Sequence, residues 1–423
     1  MGGLKGRPGL YGLGVLLAVL VVFGGYARAD VTTDQPGSII VFPKVIADGT
    51  RDTLITITNV RNMPSIVHCI YNNSPSGTCS LTTTQGCRFN EDCPTTETCN
   101  LITPGVCSIT STRGCSVDAD CPGSEPCVHE CVEHDFDIFL TGQQPTVWDV
   151  ASGRQVNPVD NVPGLDPGNV PPQIDFVGEL KCYVTDADGA PIMQNSLTGE
   201  ASLFGAAGPS TDVSEYNGVT IFAAGTPAGN LDLNNIEYNA CPADLVVNHW
   251  ADGAVDSFTG ATINTELTLV PCTEDFESQI PPPARAIFDV SNEFEEHLSA
   301  SVPVGCFLNR QLSDLSIVFK RSTLKSDFAK TRITPPSAKL CYTGTNRGAA
   351  CTSDSDCPDF TTLGCRPRPG LLAVSEEFHQ VNVFTPTTAP GVATAAANAY
   401  VEGSRAAVGG DVIVIPSLDT SGQ

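Results

Sequence analysis

The stretch TLITITN, residues 53–59, decides how this chain folds. Ile55 and Ile57 fall on one side of an extended backbone, and Thr56 and Thr58 fall on the other. A side-chain period of two, carried by β-branched residues, is the pattern of a strand with one buried face. Just upstream, SIIVF (residues 38–42) has the same character, and just downstream SIVHCIYNN (65–73) repeats it. The pattern then stops. From residue 74 to residue 130 the chain is polar and dense in cysteine, and alternation resumes at HDFDIFL (134–140), with Phe136, Ile138 and Leu140 on one face. The spacing predicts that 74–131 is an insertion between two strands of one sheet.

Further strands are expected at FVGELKCYV (176–184), GVTIFAA (218–224), DLVVNHW (244–250), TELTLVP (265–271) and RAIFDVSN (285–292). LSIVF (315–319), LLAVS (371–375), HQVNVF (379–384) and DVIVIP (411–416) continue the series. The chain carries 39 Gly and 32 Pro, which argue against long helices. Short strands punctuated by Gly, Pro, Asn and Asp turns imply an all-β protein of immunoglobulin-like sandwich domains with disulfide-rich, loop-dominated insertions. Two helices are expected, at SNEFEEHLSA (291–300), where early acids follow a capping residue, and at the alanine-rich ATAAANAY (393–400). The proline-rich 157–172 and 279–283 read as loops. A boundary near GAAGPST (205–211) gives a first domain over 30–205, interrupted by 74–131, and a second over 206–423, interrupted by 341–366. One large mixed sandwich is the alternative.

The cysteines repeat. Cys79, Cys87, Cys93 and Cys99 follow the spacing C-x7-C-x5-C-x5-C, and Cys107, Cys115, Cys121 and Cys127 follow it again. Cys341, Cys351, Cys357 and Cys365 form a third copy, C-x9-C-x5-C-x7-C. In each unit the third cysteine stands between an acid and a proline: NEDCP, DADCP, DSDCP. Units this small cannot fold on apolar burial. Two bridges per unit, each contributing about 2–4 kcal/mol through loop closure, are sufficient to define them. Four cysteines allow three pairings, so the connectivity within a unit is open. Six cysteines remain. Cys69 and Cys131 flank the insertion and are expected to pair across its base; Cys182, Cys241, Cys272 and Cys306 should form two more bridges, with Cys241–Cys272 preferred. Zinc would call for thiolates at C-x2-C spacing, and the chain has no such pair.

The segment CSVDADCPGSEPC (115–127) and its counterparts resemble part of the whey acidic protein four-disulfide core, a family that includes protease inhibitors. That family's adjacent cysteine pair is missing here. As a whole, the layout is similar to secreted cysteine-rich β proteins of environmental bacteria, a likeness that implies no activity.

The beginning of the chain speaks to compartment. Lys5 and Arg7 precede the apolar run LGVLLAVLVVF (13–23), and Ala27-Arg28-Ala29 precedes Asp30. This is the pattern of a signal peptide over residues 1–29, which predicts a secreted protein: extracellular, at the cell surface or periplasmic. Eighteen cysteines, an even number, suit such an oxidising compartment. Removing Lys5, Arg7 and Arg28, which no acid offsets, takes the formal charge from −25 to −28. A surface so acidic repels phosphate backbones and anionic headgroups, which excludes nucleic acid and direct membrane insertion as expected partners. A protein or glycan partner is expected instead.

Candidate chemistry is sparse. Asp118 with Asp120, and Asp354 with Asp356, are calcium candidates, the first unit having only Glu91 and Asp92 at that place. Calcium requires six or more oxygens, so the expected role of these acids is to cap turns, with no cofactor. His129-Glu130-Cys131-Val132-Glu133-His134 invites comparison with zinc proteases, whose histidines stand four apart on a helix; here they are five apart. EFEEHL (293–298) and SEEFHQ (375–380) each gather acids around one histidine, His297 and His379, and would bind a cation if the fold joined them. TDADGAP (185–191) reads as a hairpin turn. Trp148 and Trp250 would form a sugar platform if exposed and core if buried. Asn72-Asn73-Ser74 is a glycosylation sequon. The sequence therefore leads to a secreted, non-enzymatic structural or binding protein that displays stapled loops on a β-scaffold. The alternatives are an extracellular carbohydrate-binding protein or hydrolase, and a protease inhibitor.

Overall fold

A strand with one apolar face must bury it against a second layer, and this chain does so in two lobes. The computed structural model describes residues 31–402 except 84, 89–92, 95, 102–104, 108–113, 116–119, 123–126, 130, 155–169, 206–212, 226–230, 259, 274–275, 277–283, 337–338, 342–344, 347–348, 360–363, 368–369 and 382–390. The expected signal peptide and the strand at 411–416 lie outside the described residues.

The first lobe is built from β1 (Val31–Thr32), β2 (Ile39–Ala47), β3 (Arg51–Asn59), β4 (Ser65–Asn73), β5 (Val132–Leu140), β6 (Pro145–Asp149), β7 (Phe176–Thr185), β8 (Leu197–Gly205), β9 (Val213–Asn217) and β10 (Val219–Ile221). One sheet has the order β1-β10-β2-β7-β4-β5 and the other β6-β3-β8-β9, all antiparallel. Ile55 and Ile57 on β3 enter a shared core with Ile40, Phe42, Tyr71, Phe136, Ile138, Leu140 and Trp148, as their alternation requires. Across the two layers the Trp148 indole N–H donates to the Tyr71 hydroxyl at 2.8 Å, which satisfies two polar tips inside an apolar core.

The second lobe uses β11 (Asp244–Trp250), β12 (Ala254–Val255), β13 (Thr262–Cys272), β14 (Ala284–Asn292), β15 (His297–Val304), β16 (Leu308–Gln311), β17 (Phe328–Thr334), β18 (Gly370–Val381), β19 (Gly391–Asn398) and β20 (Tyr400–Glu402). Its sheets run β15-β14-β17-β11-β20 and β12-β13-β18-β19, with β16 also on β13. Their inner faces, from Leu245, Val247, Leu267, Leu269, Phe288, Val290 and Ile333, form a second core. Val270, Phe307, Leu372 and Val374 of this lobe instead join the first core, so the lobes pack on apolar surface rather than hang from a linker.

The fold is all-β with disulfide-rich insertions, and several expectations within that class change. Strands β9 and β10 pair in the first lobe's sheets, so the passage to the second set of sheets lies between Ile221 and Asp244, beyond 205–211. Neither expected helix forms. Within 291–300 the chain turns between β14 and β15, because the Asn292 carboxamide oxygen accepts the amides of Phe294 and Glu296, both at 2.9 Å. Residues 393–398 belong to strand β19, since β18 would otherwise present an unpaired edge, and Tyr400 begins β20 on the other sheet. LSIVF is instead two helical turns, Leu312–Leu315 and Ile317–Phe319, separated by Ser316, whose hydroxyl caps the second by accepting the Val318 amide.

Cys69 and Cys131 do not pair. Cys69 lies opposite Phe136 in the β4–β5 register. Cys131 is five residues back along the chain, about 16 Å of strand, far beyond the Cα separation a disulfide tolerates. Cys69 bonds instead to Cys182, its direct neighbour on β7, within one sheet. Cys131 bonds to Cys306 of the second lobe. Cys241 pairs with Cys272 as expected.

Candidate functional site

The three cysteine units share one construction. In each, the first cysteine bonds to the third and the second to the fourth: Cys79–Cys93 and Cys87–Cys99, Cys107–Cys121 and Cys115–Cys127, Cys341–Cys357 and Cys351–Cys365. Each is a three-stranded sheet with its first strand in the middle, and the first cysteine stands opposite the fourth. The sulfur atoms of the first three cysteines lie within 4.8 Å of one another in every unit, so stacked disulfides occupy the place of a core. The first two units fill the connection between β4 and β5, whose ends Asn73 and Val132 are direct partners. The Arg88 guanidinium ties the first unit down: it donates to the Ser74 carbonyl at 2.6 Å, to the Ser74 hydroxyl at 2.7 Å and to the Asp175 carbonyl. The third unit follows β17 and precedes β18.

The acids of these units serve their own turns. Asp356 accepts the Thr352 amide and hydroxyl, both at 2.8 Å, and the Ser353 amide at 3.1 Å, hydrogen bonds that hold its carboxyl below the usual range. Asp354 accepts the Cys365 amide at 2.8 Å. Glu97, which the sequence did not single out, clasps the Thr82 amide and hydroxyl and the Leu81 amide in the first unit, and is likewise held low. Asp120 lies in a turn of the second unit, and Asp118 lies outside the described residues.

The other candidates are dispersed. His129 ends the strand Cys127–His129 and His134 lies on β5, with the Cys131–Cys306 bridge between them, so no helix carries that motif. His134 approaches Gln173 at 3.1 Å. His297 is exposed and paired with Asp289 on the β14–β15 hairpin, whereas His379 is on β18 beside Glu377 and Trp250. Asp186 caps its turn through the amides of Asp188 and Ala190, both at 2.9 Å. Trp148 is fully buried, and Trp250 packs on Phe328. Asn72 of the sequon is buried on β4 and donates to Glu179 at 3.0 Å, so it is not presented to a modifying enzyme.

Where the lobes meet, the structure assembles a charged cluster that the sequence did not announce. Glu266 on β13 and Glu376 on β18 are direct cross-strand partners. Like charges placed so are destabilising, and two cations from the first lobe enter between them. Lys44, wholly buried, contacts the Glu266 carboxylate and lies 2.7 Å from Glu376 Oε2. Arg51 reaches the same two carboxylates at 3.4 and 3.5 Å. A β-bulge aims the lysine. The β2–β7 register slips between Gly178 and Leu180, so Pro43 and Lys44 together oppose Glu179. Gly178 is required there, since a Cβ would stand 1.9 Å from the Asn72 carbonyl oxygen. Tyr216 fixes the bulge, accepting the Lys44 amide at 3.0 Å and donating to its carbonyl at 2.5 Å. Ser214 donates to Glu376 Oε1 at 2.6 Å. Burial by itself would raise the Glu266 carboxyl, but the charges of Lys44 and Arg51 outweigh it and hold it at about 2.

Two further titratable sites are structural in setting. Burial and a hydrogen bond that the protonated Asp52 carboxyl donates to Asp149 push it up to about 7, against the amides of Thr53 and Ala151 that favour its ionised form. Burial pushes the His249 imidazole down to about 4; its Nε2 lies 2.8 Å from the Thr331 hydroxyl and its Nδ1 2.9 Å from the Trp250 carbonyl.

No family model matches the chain, and no curated protein does. Nine disulfides fit an oxidising environment. Among the described residues, no helix is long and apolar enough to cross a membrane.

Proposed function

We propose that this is a secreted, non-enzymatic binding protein whose immunoglobulin-like sandwich lobes act as a rigid scaffold and whose three stapled units make contact with a protein or glycan partner at a cell surface or matrix. One observation carries the reading: the same sulfur-bonded unit is built three times, and two copies occupy a single connection whose strands pair without them. Units that are dispensable to the sheet yet repeatedly built suit recognition, which scaffolds commonly delegate to loops. Their acids bond to their own backbones, consistent with shape rather than ion binding as their purpose. Burial of Trp148 removes one of the two aromatic residues that would have favoured a sugar platform.

The test compares the full chain with a variant in which residues 75–130 are replaced by a glycine-containing turn joining β4 to β5. Both are expressed in the producing cell and partitioned between the culture medium and the washed cell and matrix fraction. The full chain is expected in the cell and matrix fraction and the variant in the medium, with equal resistance to unfolding. Equal partitioning of two folded proteins would overturn the assignment.

A further inference from the structure

We infer that Lys44 and Glu376 form an intramolecular amide that welds the two lobes covalently. The inference is independent of the proposed partner binding and concerns the cluster at the lobe interface.

The geometry holds each part of the reaction in place. Lys44 Nζ lies 2.7 Å from Glu376 Oε2, and the lysine has no exposure to solvent. The second oxygen of that carboxyl group, Oε1, accepts the Ser214 hydroxyl at 2.6 Å, and Arg51 lies 3.5 Å from Oε2. Both donors polarise the carboxyl carbon as negative charge builds on its oxygens. Glu266 touches the same ammonium and is placed to take its proton. Its own orientation is set by Arg51 at 3.4 Å and by a hydrogen bond with Asn309. An amine and a carboxyl group fixed at contact distance in a site closed to water gain effective molarities of about 10⁵–10⁸ M over free reactants. That gain can drive a condensation that free amine and acid do not complete in water.

The atoms balance without a further reagent. The Lys44 ammonium gives one proton to Glu266, and the freed lone pair forms the N–C bond to the Glu376 carboxyl carbon. A second N–H proton and the proton held on Glu266 pass to one carboxyl oxygen, which leaves as water. Glu266 returns to its ionised form. One cation and one anion disappear together, and Arg51 and Glu266 remain as a matched pair. The cluster is neutral before and after, and the penalty of burying the Lys44–Glu376 charges is removed.

The experiment is a peptide map of the full chain after complete reduction and alkylation. Reduction comes first because nine disulfides together lower the mass by almost the same amount as one lost water. The expected result is no tryptic cleavage after Lys44 and a branched peptide joining the Lys44 and Glu376 segments, lighter than their sum by about 18 Da. In Glu266→Gln, checked for native β-sheet by circular dichroism, the branched fraction at equal time after synthesis should fall at least about tenfold. Recovery of the Lys44 peptide unbranched and cleaved from the wild-type chain would overturn the proposal, whatever the variant does. A branch to Glu266 instead of Glu376 would overturn the assigned roles.

Discussion

The carboxyl pair formed by Asp52, on β3, and Asp149, at the end of β6, makes stability fall as pH rises. Burial and the hydrogen bond that protonated Asp52 donates to Asp149 hold Asp52 at about 7 in the folded protein, against roughly 3.9 in an unfolded chain. The folded state therefore keeps a proton that the unfolded state releases. The contribution is fully present below the unfolded value and is lost as pH rises through 7. Three pH units correspond to at most about 4 kcal/mol, of which about 2 kcal/mol falls between pH 5.5 and 7. Asp149 is only half-buried, and solvent screening reduces the measurable part to about 1 kcal/mol. The perturbation is Asp149→Asn, which removes the neighbouring acid and leaves a carboxamide able to donate to an ionised Asp52. Urea unfolding of the disulfide-intact chains at pH 5.5 and 8.5 gives two stability differences. Wild type should lose about 1 kcal/mol more than the variant across that interval, since every other titrating group is common to both. Equal losses would refute the shared-proton account of this pair.

Other consequences can be checked separately. Lys44→Met removes the amide and leaves Glu266 and Glu376 opposed with only Arg51 between them, and should lower the unfolding free energy by at least about 3 kcal/mol; adding Glu376→Gln should recover the part due to the unpaired carboxylates in the same urea titration. His249 is neutral when folded because burial holds it at about 4, so stability present above pH 6.5 should be lost as pH falls toward 4, by about 3 kcal/mol more than in His249→Gln. Removing one bridge of the first unit with Cys87→Ser and Cys99→Ser should cost that unit about 2–4 kcal/mol locally. It should speed proteolysis within 75–104 while the melting temperature of the lobes stays within a few degrees of wild type. A matching fall in the lobes' melting temperature would show that the unit is integral to the scaffold.

The features that could be read from the sequence were those carried by local patterns. β4 and β11 run over the residues their alternation marks, because an apolar face that is half-buried writes itself into the chain at every second position. The cysteine units were equally plain, since their core is covalent and its spacing is the sequence itself. The strands that escaped notice are of another kind. β8 carries Gly199 and Glu200 mid-strand, and β17 alternates lysine and arginine with small residues, so neither offers a clear apolar stripe. Residues 393–400 have alanine's preference for helix, and the unpaired edge of β18 overrode it. The charged cluster left no trace at all. Its members are separated by as many as 332 positions and meet only because a bulge at Pro43 turns one lysine toward another lobe. The Cys131–Cys306 bridge was hidden for the same reason, since no spacing rule relates residues that only tertiary packing joins.

That last bridge determines how the molecule would respond to being pulled. Cys131 and Cys306 are 175 residues apart, a length that would otherwise extend by roughly 600 Å under tension. With the sulfurs joined, load arriving at β5 passes directly into the second lobe, and the intervening chain is shielded from unravelling. Reducing that bridge would release this short path from β5 to the second lobe and leave the Lys44–Glu376 amide, which disulfide reductants do not cleave, to hold the lobes together.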